Sequence, residues 1–286
     1  MCTAMIKPVN ENLISVYGCT DVGRRRPNNE DAFLVADLTE RGGFTTTPNE
    51  YWLGERGALL VVADGMGGAS AGEVASMLAV ATVRNRLQRS ATQANGIEQL
   101  RRAAEKANAA IRQYARNRPQ AEGMGTTLTA ALLRDGNVYL AQVGDSRAYL
   151  IRGQRIKQLT KDQSLVQKML DGGLLTPEEA AHHPYRNVVM QALGVEDEIN
   201  VALSACTLEP NDFLLLCSDG LSNYVSDAEM QRIVTEAESP KYACRLLVEL
   251  ANERGGADNI TVIVAHFDGE NLCSSSDRGI TASLHI

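Results

Sequence analysis

The chain has 286 residues, with 35 acidic against 28 basic side chains and a net charge of -7 at pH 7. Hydrophobic residues make up 44% and charged ones 22%, the balance of a soluble globular domain long enough to bury a substantial core. No apolar run reaches the roughly 18 residues of a membrane span, and the acidic balance argues against a nucleic-acid binder. The first residues, broken by Pro8, lack the basic-then-apolar pattern of a secretory leader. Six cysteines lie scattered with no Cys-x-x-Cys pair, and only 4 histidines accompany them, so a disulfide framework or a zinc site is not expected. Reduced, mostly buried thiols in a cytoplasmic protein are the expectation.

In chain order, the alternation at Ile14–Gly18 predicts a strand, Arg24–Asn29 a basic loop, and Ala32–Ala36 a second strand. The stretch 37–57 is polar and rich in Gly and Thr, read as an inserted loop or surface hairpin packed by Tyr51 and Trp52. Ala58–Ala63 is a continuous apolar run that stops on Asp64-Gly65, as a strand buried on both faces would. Two helices are expected next. The first covers Gly72–Gln88 with Val74, Met77, Leu78, Ala81 and Leu87 inward; the second covers Ile97–Asn117 with Leu100, Ala104, Ala107, Ile111 and Tyr114 inward.

The period then changes to two, predicting strands at Thr126–Leu133, Val138–Val143 and Arg147–Arg152, the first pair joined by Asp135-Gly136-Asn137. Residues 161–195 are short-patterned and interrupted by Gly172-Gly173, Pro177 and Pro184, an irregular helical insertion. Strands follow at Ile199–Cys206 and Asp212–Cys217. A helix capped by Ser239-Pro240 ends at Gly255-Gly256, and a last strand covers Ile260–Ala265. The remainder, 268–286, is Ser-rich and aperiodic, expected to be a disordered tail. This order implies an α+β domain in which two antiparallel sheets pack together with helices outside them.

Acidic residues stand where predicted strands meet loops: Glu30-Asp31, Asp64, Asp145, Asp219 and Asp258. One Asp-Gly dipeptide is most simply a turn, as at Asp135-Gly136. Asp64 and Asp219, however, end long apolar runs. If these strand ends meet, several carboxylates converge with few bases to balance them, and ionised carboxylates are costly to bury without a cation. Oxygen-only donors favour hard divalent ions such as Mg²⁺ or Mn²⁺.

The stretches Arg26-Pro27-Asn28-Asn29-Glu30-Asp31-Ala32, Val62-Ala63-Asp64-Gly65-Met66-Gly67-Gly68, Gly125-Thr126-Thr127 and Val143-Gly144-Asp145-Ser146-Arg147-Ala148 form an ordered series. It continues with Leu159-Thr160-Lys161-Asp162, His183-Pro184, Cys217-Ser218-Asp219-Gly220-Leu221 and Asp258-Asn259-Ile260-Thr261. Together they resemble the metal-dependent type 2C serine/threonine protein phosphatases, in their compact bacterial form. The resemblance covers residues 13–267, leaving 1–12 as an N-terminal segment. It implies a four-layer α/β/β/α sandwich with a binuclear Mn²⁺/Mg²⁺ centre at one end and a flap over 163–195.

On this pattern Asp64 bridges two ions, Asp219 and Asp258 complete the first, and the Gly65 carbonyl holds the second. Glu30 or Asp31 acts on the second directly or through water. Asp145, with Asp219, matches a weaker third-ion position, and Arg26 matches the phosphate-gripping arginine. The implied reaction is hydrolysis of phosphoserine and phosphothreonine by in-line attack of a metal-bridging hydroxide, without a phosphoenzyme. Met66 stands where some relatives carry histidine, so no side chain is assigned as general acid; His182 and His183 read as local structural residues. Implied partners are phosphorylated proteins, including bacterial Ser/Thr kinases and their substrates, met by a cytoplasmic monomer that engages neither membrane nor nucleic acid. Two other readings stay open: a catalytically silent regulatory relative, which lost aspartates would mark, and a phosphatase of small phosphoesters.

Overall fold

The computed structural model describes residues 13–39, 49–52, 54, 56–67, 71–90, 95–116, 118–268 and 283–285. Gly68, the segment 1–12, most of the 37–57 insertion and the packing expected of Tyr51 and Trp52 lie outside them.

The strands are β1 (Leu13–Asp21), β2 (Ala32–Asp37), β3 (Asn49–Trp52), β4 (Ala58–Ala63), β5 (Gly65–Met66), β6 (Gly125–Thr126), β7 (Leu128–Arg134), β8 (Asn137–Val143), β9 (Arg147–Arg152), β10 (Arg155–Gln158), β11 (Ala202–Thr207), β12 (Phe213–Cys217), β13 (Ile260–Asp268) and β14 (Ser283–His285). Helices are α1 (Ala71–Gln88), α2 (Gly96–Arg116), α3 (Leu165–Asp171), α4 (Pro177–Ala181), α5 (Asp219–Ser222), α6 (Asp227–Glu236) and α7 (Pro240–Glu253). Two six-stranded sheets run β10-β9-β12-β13-β1-β3 and β14-β11-β8-β7-β4-β2, and β5 pairs with β6 alone.

Period-two side-chain geometry builds the layers. In β4, Leu59, Val61 and Ala63 pack toward α1 and α2, while Ala58, Leu60 and Val62 pack between the sheets. In β13, Ile263, Ala265 and Phe267 fill the same inter-sheet core, and Ile260, Val262 and Val264 face α6 and α7. Three apolar clusters thus alternate with four layers, the α/β/β/α sandwich. Because both faces of these strands are covered, their ends cannot shift without disturbing two cores.

Several elements depart from the sequence expectation. Helix α1 shifts its inward face: Ala75, Ser76, Ala79, Val80 and Val83 are buried with the expected Leu87, Val74 and Leu78 pack half-buried against the same core, and Met77 is 59% exposed. Apolar residues are spread around this helix, so their spacing selects no face, and the alanine side lets it approach its neighbours closely. Helix α6, absent from the sequence expectation, buries Met230 and Val234 with Ile233 packed beside them, and its start is marked by a capping box between Ser226 and Glu229. The expected strand 126–133 is interrupted at Thr127, and the one expected from Ile199 begins at Ala202. Within the expected tail, Ser283–His285 pair with β11, and 269–282 lie outside the described residues. Asp135 and Gly136 take φ of 52° and 70°, the two-residue hairpin expected there.

All four described cysteines are free, three of them buried. The Cys244 thiol donates to the Tyr17 carbonyl at 3.5 Å. Among the described residues no helix is long and apolar enough to cross a membrane.

The inward face of α1 is testable by denaturant unfolding. Ala79→Leu should overpack the core and cost about 1–3 kcal/mol, whereas Met77→Ala should stay within about 0.5 kcal/mol. The reverse ranking would place the other face inside.

Candidate metal centre

The acidic residues reach one end of the sandwich because each terminates or precedes a strand that the cores hold in place. Asp64 follows β4, Asp145 sits in the turn between β8 and β9, Asp219 opens α5 directly after β12, Asp258 precedes β13, and Glu30 precedes β2. With Arg26, Gly65 and Thr127 they wall a cavity of about 230 Å³. Asp31 is set back from that wall. Its Oδ2 accepts from Ser218 Oγ at 2.8 Å and Thr261 Oγ1 at 2.6 Å, and its buried Oδ1 has no hydrogen-bond partner.

Neutral groups hold this wall from behind. The Asn259 side chain donates to the Val22 and Asn28 carbonyls at 3.0 and 2.9 Å and accepts from Glu30 N at 2.8 Å. It thereby ties the loop bearing Arg26 and Glu30 to the start of β13. Thr127, turned out of the strand that sequence alone extended through it, accepts from Asp64 N at 2.9 Å through Oγ1, which also meets Ser146 Oγ at 2.7 Å. Gly65 admits no side chain, since a Cβ there would stand 2.3 Å from the Gly72 carbonyl and 2.4 Å from that of Glu30. Ser76 Oγ donates to the same Glu30 carbonyl at 2.6 Å.

Burial and like charge act on the carboxyls together. Burial first, then the charges of Asp31, Asp219, Asp145 and Asp258, hold the Asp64 carboxyl well above the usual carboxylate range. Burial followed by Asp219 pushes Asp145 up to about 8. Asp31 rises to about 7, mainly by burial, although the two hydroxyls pull it down. Asp219 rises to about 6 through burial and Asp258, against a hydrogen bond with Asp64. Glu30 is also raised by burial, with Arg26 opposing. Arg26 donates to Asp258 Oδ2 at 2.7 Å, and that contact raises the already high guanidinium value.

The donors fit a hard cation. Oxygen donors dominate the cavity wall, which is lined by five carboxylates with Thr127 and Asn187, Met66 as its one sulfur and no histidine or cysteine, and Asp31 Oδ1 and Asp219 Oδ1 are buried without hydrogen-bond partners. Among the described residues no three acidic, histidine or cysteine side chains stand as a finished ligand cluster; the carboxylates ring the cavity, and Asp258 leans onto Arg26.

Of the residues singled out from sequence, Arg26, Glu30, Asp64, Gly65, Asp145, Asp219 and Asp258 share the cavity and Asp31 lies behind it. His182 and His183 do not reach it; His183 Nδ1 accepts from Tyr185 N at 3.2 Å. Thr127, Ser218, Thr261 and Asn259 carry no charge pattern, although all four stand inside the motif stretches quoted above. Asn187 and Val189 of the 163–195 segment also line the cavity, with no sequence signal to mark them.

A double-sheet sandwich with a carboxylate-ringed cavity at its loop end is the architecture of the type 2C phosphatases. The protein phosphatase 2C family model matches residues 47–259, and the chain belongs to that family. It is 38% identical over 252 residues to the serine/threonine phosphatase Stp of Listeria monocytogenes, covering 87% of this chain and 94% of that one. It is likewise 38% identical to the protein phosphatase PhpP of Streptococcus pneumoniae, covering 88% and 97%. Among solved structures, the Mycobacterium tuberculosis serine/threonine phosphatase PstP superposes with a TM-score of 0.77 at 36% identity, covering 90% of this chain and 99% of that one. The PstP catalytic domain in complex with two manganese ions gives 0.75 at 35%, covering 90% and 99%.

The raised carboxyls fix the sign of a pH effect. Each favours the ion-free fold while protonated, and that contribution is lost as pH climbs through its folded value. Divalent ions compete with the same protons, so they should bind more tightly as pH rises. The gain in melting temperature on adding Mn²⁺ to chelator-treated protein should therefore grow as pH is raised from about 6 to about 8, the window set by Asp219, Asp31 and Asp145. A gain that is constant with pH would contradict this arrangement.

Proposed function

We propose that the protein is a divalent-metal-dependent phosphatase of phosphoserine and phosphothreonine in proteins. The observation that carries this reading is the convergence of Asp64, Asp145, Asp219, Asp258 and Glu30, from five separate segments, on one cavity with Arg26 beside them. The manganese in the PstP complex and the names of the bacterial relatives support it.

Asp64, Asp219 and Asp258 would hold one ion, with Asp64 shared by a second ion held also by the Gly65 carbonyl and Glu30. Asp145 with Asp219 would take a weaker third. Asp31 acts from behind, keeping Ser218 and Thr261 in place. Mn²⁺ and Mg²⁺ both suit this oxygen set. The bound ions supply an activated water and Lewis-acid stabilisation of phosphate oxygens.

The chain's own residues bind and orient. Arg26, half exposed and held by Asp258 through one nitrogen, directs the rest of its planar fork toward a phosphate over the cavity. Asp64, at the end of the buried strand β4, is held on the cavity wall. Phosphorylated proteins, Ser/Thr kinases among them, are the partner class, and the cytoplasm is the proposed compartment.

Hydrolysis of a phosphothreonine peptide and of small phosphoesters, with Mn²⁺ and with chelator, tests the reading; a preference for small esters would shift the substrate class. Asp64→Ala should abolish turnover, and near-normal turnover would remove Asp64 from the centre. Arg26→Ala loses charge-assisted hydrogen bonds worth about 1.5–3 kcal/mol, so the peptide KM should rise about ten- to hundredfold. An unchanged KM would move the phosphate contact elsewhere.

A further inference from the structure

The segment between β10 and β11 leaves the sandwich and returns to it at two places held by one side chain. Gln163 follows Lys161-Asp162. Its backbone N–H donates to the Gly144 carbonyl at 2.9 Å, and its Oε1 accepts from Gly144 N at 2.7 Å. Gly144 is thus gripped on both sides of its backbone. It lies at φ +101°, and a Cβ there would stand 2.7 Å from Thr127 Cγ2, so this turn rests directly on the residue that holds Asp64 N. The next residue is Asp145, on the cavity wall.

The same carboxamide reaches the returning limb. Gln163 Oε1 also accepts from Gln191 Nε2 at 3.0 Å, and Gln163 Nε2 donates to the Asn200 carbonyl at 3.1 Å. Gln191 closes the set, donating to the Asn200 carbonyl at 2.6 Å and accepting from Asn200 N at 2.8 Å. Along the backbone, Met190 N donates to the Gln163 carbonyl at 2.8 Å, and Ser164 bridges Val189. Residues 187–191 are therefore registered to Gly144-Asp145, and Asn187 and Val189 among them line the cavity. Farther out the anchoring thins: α3 is half-buried, with Asp171 paired to Lys161 at 2.7 Å, and α4 buries only Ala180.

We infer that Gln163 is a positioning residue for the protein substrate, fixing the Asn187–Val189 edge of the cavity mouth relative to Asp145. The inference rests on the phosphatase reading. Only a carboxamide serves here, because the site needs an acceptor for Gly144 N and Gln191 and a donor for Asn200 on one planar group. A carboxylate would face the Asn200 carbonyl with no proton to give. A phosphopeptide must pass along the mouth and feels its placement; a small aryl phosphate needs only the cavity floor.

The test compares Mn²⁺-loaded wild type, Gln163→Leu, Gln191→Leu and the double variant on a phosphothreonine peptide and on p-nitrophenyl phosphate. Gln163→Leu should raise the peptide KM about tenfold, the worth of one or two hydrogen bonds, and the aryl-phosphate KM by clearly less. Gln191→Leu should move the peptide KM the same way, and the double variant should be no worse than the worse single one. Hydrogen exchange at the amides of 188–193 should speed up in Gln163→Leu. An unchanged peptide KM, an equal loss on both substrates, additive losses, or unchanged exchange would each overturn the inference. Should Gln163→Leu fail to fold, Gln191→Leu and Gln163→Asn, too short to span both limbs, decide it by the same readouts. A wild type inert toward both substrates would sink the phosphatase reading, and the exchange measurement would still decide whether Gln163 positions the mouth.

Discussion

The constraint on which this end of the molecule depends is electrostatic. Carboxylates from five segments share about 230 Å³ with one guanidinium beside them, so each costs hydration and repels the rest. Such a cluster persists because the residues bearing it cannot withdraw. Asp64 and Asp219 end strands whose other residues are packed between two apolar layers. The fold therefore stores a demand for compensating charge, met by protons in the ion-free state and by hard cations otherwise. Stability, ion affinity and pH are linked through the same few atoms.

Around the charged wall stands a second arrangement made only of neutral groups. The hydroxyls of Ser218 and Thr261 hold Asp31, the Asn259 carboxamide ties the Arg26–Glu30 loop to β13, and Thr127 with Ser146 fixes Asp64 N. Dipoles can direct carboxylate oxygens without adding further like charge to the cavity. The break between β6 and β7 follows from this: Thr127 leaves the ladder to serve Asp64. Asp31 likewise exchanges a place on the wall for a role as a buried acceptor.

Rigidity is unevenly distributed about the mouth. The roots of the 163–195 segment are bound by an amide set that reaches Gly144, whereas α3 is short and only half-buried and α4 is short and mostly exposed. The fixed root keeps the edge nearest the chemistry in register with Gly144-Asp145.

Much of this was legible in the residues themselves. The doubly buried strand at Ala58–Ala63, the Asp135-Gly136 hairpin and the Ser239-Pro240 helix start are written in local pattern, because strand period, turn conformation and capping are local physics. Aspartates at the ends of apolar runs similarly announced a site that needs cations. What local pattern could not decide was which atoms meet. The inward face of α1 was settled by how closely its alanines let it approach its neighbours. The setback of Asp31 was settled by hydroxyls on β13 and before α5, and the role of Gln163 by two limbs of chain arriving together. Each is a contact between segments far apart in sequence, chosen by packing and polar satisfaction in three dimensions, which one-dimensional order does not contain.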